Sequence, residues 1–206
     1  FKMKVLYSVL IALVFSGTIY SQENEDLISA FITSEKHIVV KLGDHFDVSK
    51  IVIVSKEESV PVSDIQEIKS NEYRLTMNQA LDFTKKYVVK VGDSEKQAQP
   101  HWKAIDKLYT YDGELGSFYN WNKTDFKLWA PLASKVVLNL YEKGLDEEPY
   151  ETVELSKKEK GVWHTSAPGN LKGKYYTYSI TNYGVTKEVI DPYAKSIAET
   201  VRETFF

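Results

Sequence analysis

The sequence predicts an all-β protein with two β-sandwiches that follow a signal peptide. Three observations lead there. Short segments alternate apolar and polar residues with the period of two expected of strands half-buried in a sheet. Gly, Asn and Asp punctuate these segments at short intervals, as turns between antiparallel strands require. No stretch keeps a 3.6-residue apolar period for three helical turns. The aromatic content, with 14 Tyr among 206 residues, fits the β-rich assignment.

The first set of strands spans residues 26–98. Ile38, Val40 and Leu42 alternate with His37, Val39 and Lys41 before Gly43-Asp44 interrupts the run. Ile51 to Val54 is a short apolar run. Tyr73, Leu75 and Met77 alternate with Glu72, Arg74 and Thr76, and Tyr87, Val89 and Val91 repeat the pattern up to Gly92-Asp93-Ser94. The polar stretch from Glu95 ends in Pro100 and opens a linker assigned to residues 99–108.

The second set spans 109–195. Tyr111-Asp112-Gly113-Glu114-Leu115-Gly116 is a glycine-punctuated loop. Phe126, Leu128 and Ala130 share one side of a strand that Pro131 stops, since proline cannot donate to a ladder. Val136, Leu138 and Leu140 form the apolar side of the next strand. Tyr176, Tyr178 and Ile180 share one face of a later strand, with Tyr175, Thr177 and Ser179 on the other, and Val185 to Ile190 closes the set. Turns fall at Lys143-Gly144, Lys160-Gly161, Pro168-Gly169-Asn170, Lys172-Gly173 and Asn182-Tyr183-Gly184.

Composition excludes several functions. The net charge of −3 offers no basic field for nucleic acid. There are no cysteines, which excludes disulfides, cysteine nucleophiles and thiolate metal sites. His37, His45, His101 and His164 show no zinc spacing, and no glycine-rich phosphate loop occurs. No metal or cofactor is expected.

Residues 1–21 read as upstream residues and a secretory signal. Met3-Lys4 supplies a start and a positive charge, Val5 to Phe15 is apolar apart from Tyr7 and Ser8, and Ser16, Gly17 and Ser21 are small residues suited to cleavage. The run is too short for a stable membrane span. An exported chain, periplasmic, cell-surface or extracellular and with no membrane contact after cleavage, is the expectation.

The Tyr-Asp-Gly-x-Leu-Gly loop, Phe126-Lys127-Leu128-Trp129-Ala130-Pro131 and Val136-Val137-Leu138-Asn139-Leu140-Tyr141 resemble the non-catalytic N-terminal module of bacterial type I pullulanases. That module belongs to carbohydrate-binding module family 48 and precedes a barrel of glycoside hydrolase family 13. Gly161-Val162-Trp163, Gly169-Asn170-Leu171, Gly173 to Tyr178 and Asp191-Pro192-Tyr193-Ala194 follow in the family's order. The resemblance covers residues 109–195 well and the region before it loosely. It implies two immunoglobulin-like sandwiches, and as partners an α-glucan (pullulan, starch or glycogen) and the barrel that cuts α-1,6 branches.

A barrel of that kind needs about 250 residues, and few follow Pro192 here. The family's catalytic carboxylates therefore map to no position, and this chain is expected to be inactive alone. Residues 196–206 read as a truncated or frame-shifted entry to the missing barrel, because Glu199 to Thr204 replaces the family's Asn-Gly-x-Arg. The alternative is a free-standing α-glucan-binding or surface protein.

Sugar binding needs rings that stack on C–H faces and polar groups that orient hydroxyls. The candidates are Trp129, Trp163, Tyr175, Lys174 and Asn182. These rings serve either as sugar platforms or as sandwich packing. Glycogen-binding members of the family carry an Asn-Trp pair after the second strand and a lysine in the Tyr-rich strand. Here Glu142-Lys143-Gly144 follows Tyr141, and Thr177 stands between Tyr176 and Tyr178. Weak binding or none is expected.

Overall fold

A computed structural model describes residues 26–43, 46–144 and 148–194, with the backbone of 196–197 and 204–205. The signal segment expected at 1–21 lies outside the described residues, as does most of the stretch read as a frame-shifted end.

Strand formation follows the alternation. In order come β1 (Leu27–Ser34), β2 (His37–Leu42), β3 (Val52–Ser55), β4 (Glu58–Ser59), β5 (Val62–Lys69), β6 (Glu72–Met77), β7 (Val88–Val91), β8 (Ser94–Gln97) and β9 (Gln99–Pro100). They form two sheets, ordered β5-β6-β2-β1-β9 and β4-β3-β7-β8, antiparallel except for β1 with β9. Ile38, Val40, Leu42, Leu75, Met77, Val89 and Val91 are buried between them, as their spacing predicts. The Ile51–Val54 run splits, with Ile53 in the core and Val52 exposed. Strand β5 was not visible in the sequence pattern. Asp64, Glu67 and Lys69 break up its apolar alternation, and it lies at a sheet edge where charge guards against further pairing.

The stretch read as a linker, 99–108, holds β9 and most of helix α1 (Trp102–Tyr109). Two turns of helix are too short to persist alone in water. Docking stabilises this one. Ala104 is buried in the first core, Leu108 and Tyr109 pack against that core, and the His101 imidazole caps the helix start by accepting from the Lys103 amide.

The second pair of sheets comprises β10 (Gly116–Tyr119), β11 (Lys123–Trp129), β12 (Lys135–Tyr141), β13 (Glu151–Glu154), β14 (Ser156–Lys157), β15 (Val162–Pro168), β16 (Tyr175–Asn182) and β17 (Val185–Val189). One sheet runs β10-β11-β15-β14 and the other β13-β12-β16, with β17 on the far edge of β16. The backbone of β18 (Ser196–Ile197) and β19 (Thr204–Phe205) joins this second sheet. Phe126, Leu128, Val136, Leu138, Leu140, Tyr176 and Tyr178 fill the core, as the alternation predicts. Leu132, just past the Pro131 stop, packs against the first core instead.

Candidate carbohydrate-binding site

The five residues singled out from the sequence fall in different places. Trp163 faces inward on β15. It is 4% exposed, and its indole N–H donates to Ala130 O at 3.0 Å. A ring so enclosed has no free face for a sugar, and its spacing one residue past the turn puts it on the core side with Thr165 and Ala167. Trp129 does point outward on β11 and is 36% exposed. Its indole N–H, however, is shared by Tyr109 O at 2.9 Å and Lys160 O at 3.1 Å. Lys160 Nζ donates in turn to Leu108 O at 3.2 Å. Trp129 and Lys160 thus close the C-terminal end of α1, where carbonyls lack partners within the helix and a cation is favoured.

Gly161 tightens the same junction. Its φ of +71° is in the left-handed region, and a Cβ there would stand 2.6 Å from Pro131 Cβ. Such a position admits glycine alone without movement of the chain.

Lys174 and Tyr175 do come together, at the start of β16. Lys174 Nζ pairs with the Glu142 carboxylate and lies 6.0 Å from the centre of the Tyr150 ring. The Tyr175 ring lies against Gly144, where a Cβ would meet its Cε1 at 2.8 Å. Tyr150 is 44% exposed. Burial, and after it the charges of Glu142 and Glu151, push the Tyr150 hydroxyl above its ordinary value, so it remains a donor at neutral pH. Asn182 is at the other end of β16, roughly 25 Å away by strand rise, at the turn into β17. The candidates therefore make one corner and three separate positions.

Thr177 is fully buried. Its hydroxyl accepts from Asn139 Nδ2 at 3.1 Å and donates to Glu188, which also accepts from Tyr141 OH. This closed network occupies the Thr177 position, the departure from the family's lysine noted in the sequence.

Tyr150 and Trp121 are exposed aromatics outside the five candidates. Tyr150 completes the Lys174 corner. Trp121 is 70% exposed at the β10–β11 turn, which Asn120 holds by accepting from the Asn122 and Lys123 amides. The signal for both was composition. An aromatic inside Asn-Trp-Asn, or between Pro149 and Glu151, stands in a turn and cannot be buried by strand alternation.

The recognisable motifs are joined by packing. Asp191 Oδ2 accepts from Tyr176 OH at 2.8 Å, and Oδ1 accepts from the Tyr193 amide at 2.8 Å. Burial raises this carboxyl above its usual range. The turn it organises rests on Gly116, whose φ is +103° and whose added Cβ would meet Tyr193 Cβ at 3.1 Å. Among the described residues no group of three or more His, Asp or Glu could hold a metal ion.

Fold and surface together define an all-β pair of sandwiches carrying exposed aromatic and polar corners. Residues 110–194 match the family model "Carbohydrate-binding module 48 (Isoamylase N-terminal domain)". Pullulanase A of Streptococcus pneumoniae serotype 4 is 31% identical over 173 residues, covering 73% of this chain and 13% of the relative. A pullulanase from Bacillus acidopullulyticus superposes with a TM-score of 0.75 at 19% identity, over 86% of this chain and 36% of that one, which shows the fold. The Group B Streptococcus pullulanase SAP in complex with maltotetraose gives a TM-score of 0.71 at 25% identity, over 87% of this chain and 26% of that one. The chain thus spans a small part of these relatives. What it matches is the N-terminal region of a pullulanase, a carbohydrate-binding and non-catalytic portion.

Proposed function

We propose that this chain is the non-catalytic N-terminal portion of an exported pullulanase-type debranching enzyme, and that it supports or weakly binds α-glucan for a barrel that hydrolyses α-1,6 bonds. The observation that carries the reading is the 173-residue similarity to pullulanase A, which runs through both sandwiches. The maltotetraose complex of the Group B Streptococcus enzyme supports α-glucan as the ligand class. Residues 26–98 and 109–195 are the two units in this reading. Helix α1 braces them rather than leaving them on a loose tether.

On the second sandwich the contact is placed at the Tyr150–Lys174–Tyr175 corner. There a partly exposed ring offers a face to sugar C–H groups, and the Lys174 ammonium and Glu142 carboxylate offer donors and acceptors to hydroxyls. This replaces Trp163, which is enclosed, and Trp129, whose N–H is committed to the helix. Affinity electrophoresis through gels containing glycogen or pullulan tests it. Weak retardation that Tyr150→Ala reduces is expected, with no reducing sugar released. Retardation unchanged in Tyr150→Ala would move the site elsewhere.

A further inference from the structure

We propose a second sugar-stacking site on the first sandwich, built from Trp102, His101 and Phe31, that takes the pyranose face of an α-glucan chain. The choice of α-glucan rests on the function proposed above; the site itself rests on the following geometry. Trp102 is 65% exposed and Phe31, outward-facing on β1, is 40% exposed. Neither contributes to the buried core cluster. The His101 ring lies between them in sequence of contact. It stacks on Trp102 at 5.8 Å and 28°, and Phe31 meets it edge-on at 6.0 Å and 89°.

The rings are held by rigid elements. Phe31 sits in the β1–β2 and β1–β9 ladders, and Trp102 is the first residue of α1. A preformed platform loses little side-chain entropy on binding. Large exposed rings placed side by side are unusual on a soluble surface and mark contact sites.

The groups around the rings suit hydroxyls. His101 Nδ1 accepts from the Lys103 amide, which in the neutral ring leaves the proton on Nε2 as a donor. The Lys103 ammonium is 5.4 Å from the Trp102 ring centre, within reach of a ligand lying there. Gln99 pairs with Phe31 in the β1–β9 register and so stands on the same face, with an amide that both donates and accepts. A protein partner would want a wider apolar surround. Beyond Trp102, the exposed positions of α1 are Lys103, Asp106 and Lys107.

The indole N–H resonances provide the test, because the chain has four tryptophans and each gives one signal. Trp102→Phe identifies the relevant peak in a nitrogen–proton correlation spectrum, and maltotetraose is then titrated into the full chain. The expected result is a saturable shift of the Trp102 signal, with the buried Trp163 signal unmoved. In Trp102→Ala, neighbouring amide shifts should report affinity at this site lowered about tenfold. Shifts confined to the Tyr150–Lys174 corner would overturn the second site and leave the proposed function standing. No shift anywhere at millimolar maltotetraose would overturn both. A Trp102 shift that follows protein dilution, and not maltotetraose, would identify self-association in place of sugar binding and overturn the proposal.

Discussion

Replacing Trp129 by Phe distinguishes the two roles its ring could have. Phenylalanine keeps an outward aromatic face and removes the indole N–H. That N–H serves two carbonyls, Tyr109 O at the end of α1 and Lys160 O in the turn before β15. A hydrogen bond contributes about 1 kcal/mol net. One donor shared between two acceptors, in a side chain 36% exposed and so partly replaceable by water, points to a cost of about 1–2 kcal/mol. For a cooperative unit of this size, that lowers the melting temperature by roughly 2–8 °C. Lys160→Met, which keeps the stem and removes the cation from the helix end, should cost less, about 0.3–1 kcal/mol. The double variant should cost less than the sum, because both changes release the same helix terminus. Thermal melts by circular dichroism measure all three, and glycogen affinity electrophoresis runs beside them. An unchanged melt in Trp129→Phe, together with glucan retardation lost in Trp129→Ala, would refute the clamp and restore Trp129 as a sugar platform.

Further outcomes follow from the second core. Tyr176→Phe leaves the buried Asp191 carboxylate without its hydroxyl donor and should destabilise by about 1–3 kcal/mol, whereas Tyr178→Phe should be neutral or stabilising, because among the described residues the buried Tyr178 hydroxyl meets no hydrogen-bonding partner; urea unfolding of the pair reads the contrast. Burial holds Asp191 above its ordinary 3.8, so its protonated form favours the fold; that contribution is complete below 3.8 and is lost as pH rises through the folded-state value. Asp191→Asn should remove this falling component from the stability–pH curve, measured against the parent. Asp125 acts with the opposite sign: hydrogen bonds from Lys123 and Ser166 lower it, so its contribution is lost as pH falls, and Asp125→Asn should remove that acid-side loss. Gly161→Ala should cost about 2 kcal/mol or more, combining the left-handed φ with a Cβ driven onto Pro131, and equal melts for the two proteins would contradict that close approach.

Much of the fold was legible because a strand exposes its burial pattern directly. Tyr73, Leu75 and Met77, or Phe126 and Leu128, occur at a spacing that only one sheet face satisfies. Helix α1 was not legible. It is two turns long, so no period accumulates, and what stabilises it is Ala104 in a core contributed by distant strands. The site was less legible still, for a related reason. Parity along β11 correctly put Trp129 on the outer face, but could not reveal that the end of α1 covers that face. On β15 the neighbours Val162 and Trp163 are both buried, so alternation there did not tell which of them faces the core. Tyr150 and Trp102 were missed because they stand in a turn and at a helix start, where neither alternation nor the family's motifs direct attention.

The proposed function has these two sandwiches contact α-glucan without cleaving it. Incubating the purified chain with pullulan and with glycogen, while following both gel retardation and reducing-sugar release over a day, tests it most directly. Weak, saturable retardation and sugar release no greater than in buffer are expected. Release that scales with protein concentration, or complete indifference to both glucans, would contradict it.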